Sequence, residues 1–347
     1  MSKHYIFGDT HHGSNGVVEY LKKKGGNDQI SASSTGDFYC YDANPAAPKR
    51  LNHPWTEAYK KGDKNGMEKH EGSWCKDIVI PYTTRSGKKF QELKPHLKGG
   101  KINAILGNSD IAIRDNITKY GGSDIQQTLG GSESAVNHIS GIELRNEGKT
   151  TFVYMPHNAE LLSQYKGKTY NPVKRALKDN PEYQKMLESI AKQIDEHGSD
   201  NVVVLVHEAP APERWYKDKA KVESRLPSPL KAHYDSVLET IAKTGKKTKI
   251  FHGHLHEDNK KKYQYKGMET RLLDIGDIVT YDTETGQYSV DHVEAEGKGE
   301  SKPINLREYA KARAAKGKAE KGKGEGEGKG KGEKEGEGGE AAAKQAA

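Results

Sequence analysis

Cysteine is nearly absent from this 347-residue chain, which holds only Cys40 and Cys75. Two thiols cannot staple a multi-bridge scaffold, and they lack the paired spacing of a structural zinc site. Long apolar runs are missing too. None approaches the ~18 residues of a membrane-spanning helix, so an integral helical membrane protein is excluded and no membrane partner is expected. The opening segment lacks the apolar h-region expected of a secretory leader, since its apolar run ends at Phe7. These absences together lead to the expectation of a soluble protein of the reducing cytoplasm. Hydrophobic residues make up 33%, below the roughly 45–50% of ordinary globular chains. Much of the shortfall lies in residues 297–347, built mostly from Gly, Lys, Glu and Ala. Neither sign of charge dominates. A net charge of +7 from 56 basic and 49 acidic residues would help steer a phosphate-bearing substrate, but it is not the footprint of a dedicated nucleic-acid binder.

What is present is a series of short apolar runs that stop abruptly at polar residues. Tyr5-Ile6-Phe7 leads into Gly8-Asp9-Thr10-His11-His12, and Ile102 to Leu106 into Gly107-Asn108-Ser109-Asp110. Val202 to Val206 leads into His207-Glu208-Ala209-Pro210, and Ile250-Phe251 into His252-Gly253-His254-Leu255-His256. β-branched enrichment without polar alternation predicts central strands covered on both faces. Asn180-Pro181 predicts a helix start, with Met186, Leu187, Ile190, Ala191 and Ile194 on its apolar face and Gly198 as its stop. Ser228-Pro229 predicts a second helix ending at Gly245, and Asn146-Glu147-Gly148 a hairpin turn. Strands alternating with helices give a layered α/β domain. We assign residues 1–296 to that domain, with 43–100 as an insertion of loops and short helices beside the active site. Residues 297–347 form a low-complexity tail whose composition cannot bury enough surface to offset chain entropy.

The polar clusters carry the chemistry. Asp9, His11, Asn108, His207, His254 and His256 each follow the carboxyl end of a predicted strand, the edge where ligands gather in open α/β sheets. Side chains remote in sequence can therefore converge there. An inventory of His, Asp and Asn without thiolate suits divalent Mn, Fe, Zn or Ni.

The ordered set Asp9-x-His11, Gly36-Asp37, Gly107-Asn108-x-Asp110, His207 and Gly253-His254-x-His256 resembles the calcineurin-like metallophosphoesterases over about residues 4–282. The run Gly8 to Gly16 resembles a branch of that family common in bacteria and phages. The resemblance implies a two-sheet αββα sandwich with two divalent metal ions at the strand ends. Asp9, His11 and His256 would hold one ion, Asn108, His207 and His254 the other, and Asp37 would bridge them. The implied activity is hydrolysis of a phosphodiester or phosphomonoester by a hydroxide bound to the dinuclear centre. Asp37, Asn108, Ser109 and Asp110 make up the implied catalytic set. Nucleotides are the plausible substrate class, and a nucleic-acid substrate would show itself as salt-dependent binding.

Two positions depart from the family pattern. Ser109 stands where the family usually has the His that contacts phosphate and protonates the leaving oxygen. A serine can bind a phosphate oxygen but is a poor general acid near pH 7, which favours diesters and activated esters. Cys40 stands where the family has a further Asp after Asp37. Other readings stay open: His157 rivals His207 as a ligand, His12 or His138 could substitute as acid, and Asp110 could serve only a turn. Trp55, Tyr59 and Trp74 could stack on a substrate or pack the insertion. A non-catalytic scaffold on the same fold is the competing function.

Overall fold

The computed structural model describes residues 2–10, 14–26, 28–37, 53–107, 110–111, 115, 118–120, 134–210, 226–254 and 262–293. Twelve strands among these form two mixed sheets. In chain order they are β1 (Lys3–Phe7), β2 (Ser31–Ser34), β3 (Ile102–Ile105), β4 (Val136–Ile139), β5 (Glu143–Glu147), β6 (Thr150–Met155), β7 (Asn201–Val206), β8 (Lys247–His252), β9 (Lys262–Tyr265), β10 (Met268–Leu272), β11 (Asp277–Asp282) and β12 (Tyr288–His292). The first sheet runs β12-β11-β1-β2-β3-β4, and the second β5-β6-β7-β8-β10-β9. β1 to β4 are mutually parallel, as are β6, β7, β8 and β10. The parallel strands within each sheet thus end together.

Side-chain alternation along the strands builds three apolar layers. Ile6, Ile105 and Val279 of the first sheet meet Phe152, Val203, Leu205 and Phe251 of the second in the middle of the sandwich. The alternate residues Tyr5, Phe7, Ile102 and Ala104 face outward onto Val17, Val18 and Leu21 of α1 (Ser14–Gly25). On the far side, Val202, Val204 and Val206 face four helices: α5 (Ala159–Gln164), α6 (Tyr170–Asp179), α7 (Pro181–His197) and α8 (Ser228–Lys243). The architecture is thus the two-sheet αββα sandwich that the resemblance implies. Asn180 caps α7 by accepting from the Tyr183 N–H at 3.1 Å, and Gly198 closes it at φ 67°. Ser228, by contrast, is the first residue of α8 with no side-chain cap before it.

Residues 54–91 fold as short helices, α2 (Pro54–Lys61), α3 (Lys64–Trp74) and α4 (Ile80–Gln91), with one π turn, Cys75–Val79, joining the last two. That turn ends two residues before Pro81, whose ring clashes with the carbonyl four residues back, within the turn. Trp74, Cys75, Val79, Phe90, Leu93 and Leu97 are buried against α1 and the first sheet, so this segment supplies the outer helical layer. Trp55 stacks on Trp74 at 4.7 Å, which gives both rings a packing role. Among the described residues no helix is long and apolar enough to cross a membrane.

Candidate metal centre

The parallel strand ends bring five acidic or imidazole side chains to one end of the sandwich. Asp9 follows β1, Asp37 follows β2, Asp110 lies beyond β3, His207 follows β7 and His254 follows β8. Asp9 joins the two sheets, because its Oδ2 accepts the backbone N–H of His254 at 2.8 Å. His207 lies between the carboxylates, with Nδ1 3.7 Å from Asp9 Oδ1 and Nε2 3.6 Å from Asp37 Oδ1. One donor atom from each of Asp37, His207 and His254 falls within 4.8 Å of the others. The His207 and His254 rings meet edge-on, with centroids 4.9 Å apart.

Glycines at four of the strand ends, Gly8, Gly36, Gly107 and Gly253, make this convergence possible. A Cβ on Gly36 would lie 2.3 Å from His207 Nδ1, and one on Gly107 2.3 Å from Asp37 Oδ1. On Gly253 it would lie 2.1 Å from Asp9 Oδ1, and on Gly8 2.6 Å from the Leu273 carbonyl. Only a residue without a side chain lets the backbone pass so close behind a site group. The backbone is strained here as well. Three non-glycine residues among those described have positive φ, and two of them are Asp37 (42°) and His254 (67°). Such conformations persist where surrounding structure enforces them, and they gather at functional sites.

The protonation pattern fits cation binding. His207 Nδ1 lies 3.2 Å from the Thr35 carbonyl, an acceptor only, so the ring proton is assigned to Nδ1. That leaves the Nε2 lone pair directed to the Asp37 side, the arrangement of a metal-ligating imidazole held by a backbone carbonyl. Burial lowers the His207 pKa from 6.5, keeping the ring neutral and able to coordinate. Asp9 is raised well above the usual carboxylate range, first by burial and then by the charge of Asp37, with Asp110 and Asp274 adding to it. Clustered buried carboxylates are unfavourable unless a cation offsets them. The oxygen and nitrogen donors, without sulfur, fit a borderline or hard divalent ion.

His11, Asn108, Ser109 and His256 lie outside the described residues, as do His12 and Cys40. Asp110 is buried, and its Oδ2 accepts the Gly107 N–H at 3.1 Å, fixing the turn after β3. His138 lies within the edge strand β4. His157 is not among the three clustered donors. Its Nδ1 hydrogen-bonds Glu208, which also accepts from the Tyr234 hydroxyl at 2.5 Å. Burial pushes the Glu208 carboxyl up, but the hydrogen bond from His157, with the surrounding imidazoles, outweighs it and brings the pKa to about 2. Sequence reasoning passed over Glu208. Its signal was its place immediately after His207, where β7 meets the polar end of the sandwich.

No family model matches the chain, and no curated protein matches its sequence. Solved structures similar to it include a calcineurin-like phosphoesterase from Bacillus subtilis, at 9% identity and a TM-score of 0.35, covering 91% of this chain and 97% of that one. A 5'-nucleotidase precursor from Thermus thermophilus is 11% identical at a TM-score of 0.35, covering 92% of this chain and 59% of that one. A serine/threonine phosphatase from Saccharomyces cerevisiae is 12% identical at a TM-score of 0.32, covering 87% and 82%. Likeness at this level leaves function to the chain's own residues.

Proposed function

We propose that this chain is a divalent-metal-dependent phosphoesterase of the calcineurin-like superfamily, acting on phosphodiesters or activated monoesters, with nucleotides as the substrate class. The observation that carries the proposal is the meeting of Asp37, His207 and His254 from three separate strand ends, within 4.8 Å, each beside a glycine or a strained backbone. In this reading His207 and His254, with Asn108, would hold one ion, Asp9, His11 and His256 would hold a second, and Asp37 would serve both. Divalent ions bound there would supply positive charge for phosphoryl oxygens and acidify water near neutral pH.

The protein's own groups set the rest. Neutral imidazoles leave the centre positive when loaded, which favours an anionic ester over an uncharged one. The Asp9 carboxylate, fixed by the His254 N–H, holds the two sheets in register across the site. Ser109 serves as a phosphate contact and gives little help to a leaving group that needs a proton.

Hydrolysis of bis-p-nitrophenyl phosphate and of the monoester, with Mn²⁺ and with chelator, tests the proposal. p-Nitrophenolate leaves without a proton, so the assay reads the metal centre independently of a general acid. We expect Mn²⁺-dependent turnover that chelator abolishes and that His254→Asn reduces at least tenfold, since asparagine tolerates the left-handed backbone at this position. Folded, Mn²⁺-loaded protein that turns over neither ester would instead be a binding scaffold.

A further inference from the structure

A cationic cleft opens along the flank of the sandwich away from the metal centre's residues. Register explains its lining. Lys249 of β8 pairs with Glu269 of β10, and Arg271 of β10 pairs with Phe251 on one side and Lys262 of β9 on the other. Phe251 faces the space between the sheets, so by the two-residue period Lys249, Glu269, Arg271 and Lys262 share that face. Gln287 and Tyr288, at the start of β12, close the cleft from the first sheet, and the Tyr288 ring meets Phe251 edge-on at 5.3 Å. The cleft is open to solvent, with a volume of about 470 Å³.

Its charges do not balance. Three cations line the cleft against one carboxylate, Glu269. Glu269 is already engaged, by Lys262 at 2.9 Å and by the Tyr288 hydroxyl at 2.5 Å. Lys249 Nζ donates to a neutral acceptor, the Gly286 carbonyl, at 2.9 Å. Arg271 Nε is buried with no hydrogen-bond partner. Half-buried Lys249 is also held below its ordinary pKa by burial, with Lys262 and Lys247 adding to the effect and Glu269 opposing it. Cations set into a sandwich edge, where apolar side chains would ordinarily continue the core, are unfavourable unless an anion offsets them.

We propose that this cleft is a second ligand site that takes a phosphoryl-bearing anion. Arg271 offers a planar fork that matches a phosphate edge, and Lys249 a point charge. The Gln287 amide is a neutral donor at the rim. The volume exceeds what one phosphate needs and falls within the range of small-molecule sites, so a diphosphate-sized ligand or larger fits. The site shares no residue with the metal centre, and its occupancy does not depend on the proposed hydrolysis.

The test is a titration of the full chain with inorganic pyrophosphate in the presence of chelator, followed by backbone amide NMR shifts. We expect saturable shifts centred on Lys249, Arg271, Gln287 and Tyr288, with a dissociation constant of about 1 mM or tighter. Arg271→Gln should weaken binding at least tenfold, and Arg271→Lys less. Gln287→Glu adds a negative charge at the exposed rim without touching the core and should also weaken it at least tenfold, so the test survives if the arginine variant fails to fold. A parallel arm with a single-stranded oligonucleotide separates sources. Salt-dependent binding lost in the same variants assigns the anion to a nucleic-acid backbone, and its absence beside retained pyrophosphate binding assigns it to a small phosphorylated molecule. Absence of localised shifts with either probe, or affinity unchanged in Gln287→Glu and Arg271→Gln, would overturn the proposal.

Discussion

Gly253→Ala isolates the geometry of the metal centre from the stability of the fold. The new Cβ would lie 2.1 Å from Asp9 Oδ1, 2.9 Å from Asp9 Cγ and 3.1 Å from Thr35 Oγ1. Gly253 is not among the positive-φ glycines, so alanine brings no backbone strain of that kind. The severest conflict falls on Asp9, which is 1% exposed and tied to the His254 N–H at 2.8 Å. Restoring ordinary contact moves the carboxylate by roughly 1 Å, and displacements of that size in a catalytic group cost about 100-fold in rate. Overpacking at one position costs about 1–3 kcal/mol of stability, which leaves the protein folded. The assay pairs Mn²⁺-dependent hydrolysis of bis-p-nitrophenyl phosphate with Mn²⁺ calorimetry and urea unfolding. Turnover and Mn²⁺ affinity within threefold of wild type would refute the placement of Asp9 at the centre.

Further outcomes rest on the same structure. In chelator at pH 7, Asp9→Asn should melt higher than wild type, because it removes a buried carboxylate that burial and its acidic neighbours keep from ionising freely. A raised folded pKa makes this penalty grow as pH climbs above the unfolded value near 3.8, so the difference should vanish toward pH 4 and reverse with Mn²⁺. His233, buried beside Tyr183, is brought down to about 4 by burial. Its folded pKa is depressed, so its contribution is present above pH 6.5 and lost as pH falls toward 4, by about 3 kcal/mol at most. His233→Asn should flatten that part of a pH series of urea midpoints. Trp74→Ala should cost about 3–5 kcal/mol in urea unfolding if residues 54–91 are core, and a loss under about 1 kcal/mol would make them peripheral.

The parts of the fold that were legible in sequence were those where one physical signal dominates. Val202–Val206 and Ile102–Leu106 read as central strands because both faces are buried and almost every residue is apolar. The α7 helix read clearly because Asn180-Pro181 and Gly198 mark its ends. Strands such as β12, with its part-exposed Ser289, Asp291 and His292, carry weaker signals because an edge strand can stay polar. Residues 54–91 carry a weak signal for a similar reason. Lysines and glycines on the outer face dilute an apolar stripe of Trp74, Cys75, Ile78, Val79 and Phe90 that closes the core, and a π turn shifts its phase midway.

At the site, the motifs pointed to Asp9, Asp37, His207 and His254 because each follows a strand end after an apolar run or a glycine. The sequence could not show why the glycines matter, since their role is a contact with a residue from another strand. For His207 over His157 the sequence had only the Val202–Val206 strand and the Pro210 turn to argue from. That choice depends on the Thr35 carbonyl orienting one imidazole and on Glu208 engaging the other.

Anomalous diffraction from crystals grown with Mn²⁺ tests the central claim most directly. The account predicts a Mn²⁺ peak within coordination distance of Asp37, His207 Nε2 and His254, at the end of the sandwich where β2, β7 and β8 finish. Fully loaded crystals with no peak there, or with His207 Nε2 turned to a protein acceptor and the ion elsewhere, would contradict it.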